Sequence, residues 1–347
     1  MGNGGRGPRS SFPNPGFAPT SETGCFQFIK PREIRQLRGR SPVSPVWPLH
    51  NRPAALTRCA GRGDCRVGRL RMQTWGWRYG VAFQTLSGSR DMTARKPVSL
   101  GSMVFDQCRS AIWHFENVVA QSPNATALIL GDRRVPYGVL KAQADETARL
   151  LAGAGVRPGD PVGLVATRSE AAIVGLFGIL RAGGVAVPLD PSHAAEQLGF
   201  IVDDIAPRAL LAPDTESQRA AELAPDGVPV IAFPETADGS AGGGFPEVDG
   251  AAPALVLYTS GTTGRPKGVV LPHRALAALA LGDDVMRLTP DDVLLHALTI
   301  ACDGALYDIF GALLAGAALA IVATPVPSLE EIAGVMQGVG VTVANWY

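Results

Sequence analysis

Ala254-Leu-Val-Leu-Tyr-Thr-Ser-Gly-Thr-Thr-Gly-Arg-Pro-Lys-Gly-Val-Val-Leu-Pro272 is the stretch on which the reading of the whole chain turns. Its apolar runs, 254–258 and 269–271, are bounded by turn residues and read as two buried strands. Between them Thr259, Ser260, Thr262 and Thr263 carry hydroxyls, with Gly261, Gly264 and Gly268 spaced among them. Glycine admits positive φ and lacks a Cβ, so successive backbone N–H groups can turn toward one anion. Lys267 adds a point charge. Clusters of Ser, Thr and Gly also mark plain surface turns. A plain turn needs neither four hydroxyls in five positions nor a lysine after a proline, so a polyphosphate site is the better reading. It is not a Walker A loop, which requires Gly-Lys-Ser/Thr opening a helix. Here Pro266 precedes the lysine and Gly268 follows it.

Outward from this loop the chain alternates between two periods. Residues 108–121 place Ile112, Phe115, Val118 and Val119 at helical spacing. Residues 126–130 and 134–137 alternate around Gly131-Asp132, a hairpin signal. A stripe of Leu140, Ala144, Ala148 and Leu151 predicts a helix over 137–154, ended by glycines. A strand over 162–166, a helix over 169–182 and a strand over 185–189 follow, the last two separated by Gly183-Gly184. A Gly/Pro-rich connector, 234–253, leads into the loop, and helix 273–287 and strand 293–296 come after it. Such alternation predicts an α/β fold of mostly parallel sheets flanked by helices. Ligands of these sheets sit beyond the carboxyl ends of the strands, where 259–268 falls.

Tyr258-Thr-Ser-Gly-Thr-Thr-Gly-Arg-Pro-Lys-Gly268 resembles the signature loop of the adenylate-forming enzymes: acyl-CoA synthetases, luciferases and adenylation domains of nonribosomal peptide synthetases. The resemblance runs from about Phe105 to the last residue. Residues 111–130 and 135–151 are similar to the opening segments of peptide-synthetase adenylation domains. Leu-Arg-Ala-Gly-Gly-Val-Ala-Val-Pro-Leu-Asp-Pro, 180–191, looks like their next core, and Asp190 leans toward the amino-acid branch. Read by itself, Asp190 is a turn-former beside Pro191. The family implies ATP, accompanied by Mg²⁺, as cofactor, bound by Thr259, Ser260, Gly261, Thr262, Thr263, Gly264 and Lys267. It also implies transfer of the activated acyl group to the phosphopantetheine of a carrier protein.

Residues 300–316, Ile-Ala-Cys-Asp-Gly-Ala-Leu-Tyr-Asp-Ile-Phe-Gly-Ala-Leu-Leu-Ala-Gly, form the substrate side of the reading. An acid at the start of an apolar helix reads as an N-cap or as a charge favoured by the helix macrodipole. The functional alternative is a carboxylate held for an ammonium group. Amino-acid-activating domains read Phe-Asp-x-Ser here, and Asp303 falls on the aspartate that contacts the substrate amine. Gly304 and Tyr307 fall on neighbouring pocket positions, and helical spacing puts 303, 304 and 307 on one face. Cys302 and Ala305 depart from the family's Phe and Ser. His273 and His296 read as structural, Cys302 as unreactive, and no Cys/His cluster has zinc spacing.

The formal charge of the 347 residues is zero, yet it is divided. Residues 1–103 hold 17 Lys/Arg against 4 Asp/Glu, and the remainder 14 against 27. With no sustained period, an Arg/Gly/Pro-rich segment cannot bury enough surface to offset its ordering entropy. The expected organisation is a disordered tail over 1–103 and an adenylation domain over 104–347. An over-extended start, with Met92 and Met103 just ahead of the organised region, is favoured over a transit peptide or a nucleic-acid arm. Two cysteines in 104–347 make no disulfide framework, which points to a reducing cytoplasm. The uncharged run 309–329 is punctuated by glycine and proline, and reads as buried helix, glycine stop and buried strand rather than a membrane span.

Against the family pattern the chain stops within the large domain, before the adenine-binding segment, the hinge and the small domain with the catalytic lysine. The first expectation is therefore an amino-acid adenylation domain that is catalytically deficient alone. The alternatives are a non-catalytic ATP- or partner-binding module completed by a separate C-terminal half, and an acyl-CoA-synthetase-like fragment.

Overall fold

The computed structural model describes residues 109–233, 244–259, 266–281 and 288–345. The expected tail over 1–103 and the end of the helix expected over 273–287 lie outside the described residues. In chain order the helices are α1 (Ala111–Gln121), α2 (Tyr137–Gly153), α3 (Glu170–Arg181), α4 (Ala195–Ile205), α5 (Ser217–Leu223), α6 (His273–Leu281), α7 (Asp303–Leu306), α8 (Ala312–Ala315) and α9 (Leu329–Val339). The strands are β1 (Thr126–Leu130), β2 (Arg133–Pro136), β3 (Pro161–Val165), β4 (Val185–Leu189), β5 (Ala209–Ala212), β6 (Val230–Ala232), β7 (Pro253–Thr259), β8 (Lys267–Pro272), β9 (Val293–His296), β10 (Ala318–Ile321) and β11 (Val343–Ala344). They form two sheets, ordered β6-β5-β3-β4-β7-β8 and β11-β9-β10-β1-β2. Both are parallel except for one edge strand each, β8 and β2.

Alternation within the strands builds the layers. Val162, Leu164 and Ala186 of the first sheet face a core shared with Leu128, Leu294 and Leu319 of the second, and α1, α2, α3, α6 and α8 fill the space between. The opposite face of the first sheet, Val187, Leu210 and Val256, packs on Leu198, Ile201 and Val202 of α4. On the far side of the second sheet, Ile129 and Ala320 meet Val335 and Val339 of α9. Parallel strands covered on both faces are buried throughout, as β3 and β4 are.

Local chemistry explains most element boundaries. Ser110 accepts a hydrogen bond from the backbone N–H of Trp113, so α1 starts at Ala111 and not at 108. Ser169 caps α3 in the same way, through Ala172. Gly316, at φ 84°, ends α8 before β10, giving the helix, stop and strand expected over 309–329. No described helix is long and apolar enough to cross a membrane. Three expectations are corrected. Pro253 belongs to β7 rather than to the connector, the strand that the sequence predicts over 341–345 shrinks to Val343–Ala344, and the helix over 300–316 is interrupted by a π-helical turn, Tyr307–Gly311.

Candidate functional site

The carboxyl ends of β7 and β4 open the site. β7 and β8 form an antiparallel hairpin whose register pairs Thr259 with Lys267 and Pro253 with Pro272. The connecting residues include Ser260, Gly261, Thr262, Thr263 and Gly264 of the expected phosphate loop, and these lie outside the described residues. What is described is their frame: Thr259 and Lys267 face each other, both exposed, at the loop's two ends. Neither side chain has a polar partner among the described residues. Just inside, the Tyr258 hydroxyl donates to Asp204 at 2.8 Å, and burial with that bond pushes the phenol above its ordinary range. His273 sits one residue past Pro272, at the opposite end of the hairpin. Six ladder steps of about 3.3 Å separate that end from the loop. The register therefore takes His273 away from the phosphate frame and into the core, where it is fully buried.

Ala186 of β4 pairs with Leu255 of β7, so four residues on the chain brings Asp190 level with Thr259. Asp190 Oδ1 accepts hydrogen bonds from the Ser192 backbone at 2.9 Å and the Ser192 hydroxyl at 2.7 Å, an Asx turn. Its Oδ2 accepts from the hydroxyl of Thr299, which follows β9 in the other sheet. Burial resists ionisation of Asp190, but the bonds from Thr299 and Ser192 outweigh it and hold the carboxyl below its ordinary range. The turn-former of the sequence reading is thus also a bridge between the two sheets.

Beyond Thr299 the chain delivers the candidate substrate residues. Asp303 is exposed in the first turn of α7, and its Oδ1 accepts from the Gly304 backbone at 2.9 Å. It is not the N-cap, a position taken by Cys302 without a side-chain bond. Gly304 is buried and Tyr307 half-buried, so the three positions differ in depth. Apolar surroundings push the Cys302 thiol up to about 11, which leaves it protonated and unreactive.

Deeper lies a polar cluster that periodicity could not reveal. Arg168, in the turn after β3, donates through Nε to the Val322 carbonyl and through Nη2 to that of Thr324, both past β10. His296 Nδ1 lies 3.2 Å from Asp308 Oδ2, both side chains being buried. Burial pushes the Asp308 carboxyl up, against the pull of His296 and the Arg168 charge. Asn345 lies close enough to favour the charged form of Asp308, yet neither of its amide atoms makes a bond of good geometry. The one signal in the sequence was Asp308, an ionisable residue within an otherwise apolar stretch; Arg168, between Thr167 and Ser169, reads as an ordinary turn residue. No group of three or more His, Cys, Asp or Glu that could hold a metal occurs among the described residues.

A family profile described as AMP-binding enzyme matches residues 115–346. A linear gramicidin synthase of Brevibacillus parabrevis is 37% identical over 236 residues, 66% of this chain and 4% of that protein. Bacitracin synthase 1 of Bacillus licheniformis is 35% identical over 214 residues, 60% of this chain and again 4% of its own length. Among solved structures, the NpsA N-terminal subdomain of Klebsiella oxytoca aligns with a TM-score of 0.64 at 25% identity, covering 69% of this chain and 61% of that one. An artificially fused adenylation–PCP di-domain, NpsA-ThdA from the same organism, aligns with a TM-score of 0.63, and 48% of it is covered.

Proposed function

The chain belongs to the AMP-binding enzyme family, and from that premise we propose that it activates the carboxylate of an amino acid as an acyl-adenylate for nonribosomal peptide synthesis. One observation carries this reading. An exposed hydroxyl and an exposed ammonium, Thr259 and Lys267, stand opposite each other at the carboxyl end of β7 and frame the Gly/Ser/Thr loop. An anion fits there, because the frame offers a cation and donors with no carboxylate bonded to them among the described residues.

ATP with Mg²⁺ would supply the adenylyl group, the acid's carboxylate attacking the α-phosphate and pyrophosphate leaving. In this reading Lys267 and the hydroxyls of Thr259, Ser260, Thr262 and Thr263, with Gly261 and Gly264 allowing close approach, hold the departing phosphates. Asp303, whose carboxylate is exposed at the start of α7, receives the substrate ammonium. Gly304 and Tyr307 line the space for its side chain. Residues 104–347 make up the adenylating part, residues 1–103 stand outside it, and the setting is cytoplasmic. The acyl group passes to the phosphopantetheine of a carrier protein, and a complementing C-terminal half is the other expected partner.

Nucleotide binding by the 347-residue chain is the first test. Lys267→Ala should weaken Mg·ATP binding about tenfold, as expected for loss of one charge-assisted contact. Unchanged affinity would remove the phosphate reading. Binding without amino-acid-dependent pyrophosphate exchange is the outcome that the sequence expectation of a deficient chain predicts, and exchange would establish a self-sufficient enzyme. In an assembly that forms the adenylate, Asp303→Ala should weaken amine-bearing acids and spare their des-amino analogues. Equal loss for both would favour the acyl-CoA-synthetase-like alternative.

A further inference from the structure

Thr299 is the hub of the turn that follows β9. Its hydroxyl donates to Asp190 Oδ2 and accepts from the Ala301 backbone at 3.3 Å, while its carbonyl accepts from the Cys302 backbone at 3.2 Å. Soon after comes Asp303, whose own carboxylate takes the Gly304 N–H. Asp190 divides its two oxygens. Oδ1 serves its local turn through Ser192, and Oδ2 reaches a different sheet, 109 residues away in sequence. A turn-former needs only the first of these. Asp190 is buried, so losing the second bond would leave a desolvated carboxylate oxygen without a donor. The strand register sets Asp190 level with Thr259, the first residue of the phosphate frame.

We infer that Asp190 and Thr299 are positioning residues, whose bond fixes the turn carrying Asp303 and Gly304 at a set place relative to the strand end carrying Thr259. The functional meaning rests on the adenylation reading, in which the acid and the nucleotide must meet at a fixed separation for in-line attack. The bond itself joins the carboxyl ends of the two sheets, β4 of one and β9 of the other. A hydroxyl-to-carboxylate bond suits this task because it is directional, where apolar contact would tolerate sliding.

Hydrogen–deuterium exchange of the whole chain, without ligand, tests the link. Thr299→Val keeps the shape and removes the hydroxyl, whereas Thr299→Ser keeps the hydroxyl and removes the methyl. In Thr299→Val, peptides covering residues 298–307 should exchange about tenfold faster, the loss expected for one hydrogen bond to a charged group. Peptides covering β7 should keep the wild-type rate, and Thr299→Ser should restore the slow exchange of 298–307. Asp190→Ala should loosen the same segment from the other sheet. Three results would overturn the inference: no change at 298–307 in Thr299→Val, a Thr299→Ser protein as loose as Thr299→Val, or faster exchange spread evenly over both sheets. Because the readout needs neither nucleotide nor acid, it fails separately from the Lys267 experiment.

Discussion

The His273 imidazole is buried at the start of α6, with neither ring nitrogen bonded among the described residues. Burial drives its pKa down to about 4 from 6.5, against the opposing charge of Asp249. A base whose folded pKa lies below its unfolded value binds protons more weakly in the fold, so acid favours unfolding. The stability it leaves intact is fully present above pH 6.5 and is lost as pH falls toward 4. The cost reaches about 3 kcal/mol at the low end of that window. Denaturant titrations of His273→Leu and wild type from pH 7 to 4 should give difference curves that diverge only below pH 6.5. Parallel curves would refute a neutral, buried imidazole. At this scale, Thr259 and Lys267 are legible because strand ends and loop chemistry are local in sequence. The partners of Asp190 and Arg168 are not, since 109 and 154 residues separate them from Thr299 and Val322. The two-ended role of Asp190 is invisible until the sheets are brought together.

Between elements, α2 and α3 approach each other closely at Gly178. A Cβ added at Gly178 of α3 would stand 2.6 Å from Thr147 Cβ and 3.2 Å from the Ala144 carbonyl of α2. Both neighbours belong to helix backbone or to a β-branched side chain whose hydroxyl already bonds Gln143 at 2.9 Å, so neither can withdraw freely. Gly178→Ala should lower unfolding free energy by about 1–3 kcal/mol, the usual penalty of overpacking, as read from the urea midpoint. A neutral result would mean that the helix pair slides to make room. The stripe that predicts α2 places Leu140, Ala144, Ala148 and Leu151 in the core, where all four are buried. The strands 185–189 and 293–296 are legible to the residue because glycine, aspartate and histidine bound their apolar runs. The π-helical turn at Tyr307–Gly311 escapes, because a fixed period of 3.6 has no place for one wider turn. Asp303, Gly304 and Tyr307, expected on one face, lie at different depths, because residues one apart on a helix, as 303 and 304 are, point in directions about 100° apart.

At the scale of the molecule, two sheets share one central core and are pinned at their carboxyl ends by Arg168 and by the Asp190–Thr299 bond. Arg168→Met keeps the stem but leaves the Val322 and Thr324 carbonyls without their donor. It should cost about 3 kcal/mol, judged from hydrogen bonds to charged groups. Unfolding followed by near-ultraviolet and by far-ultraviolet circular dichroism should remain coincident in the wild type, since the packed rings of Phe115, Tyr137, Phe177 and Phe310 lie in the core that both sheets share. Separated transitions would mean that the two sheets unfold independently. The layered arrangement also has a consequence for synthesis. In α3 every residue from Ala172 to Leu180 is buried, and the ring of Phe177 rests 5.7 Å from that of Phe310. During translation Phe310 leaves the ribosome 133 residues after Phe177. At ordinary elongation rates that delay is on the order of ten seconds. Through that interval the nascent chain carries a finished helix with one apolar side still bare, a surface that holdase chaperones recognise and that sets how crowded a translating polysome can safely be.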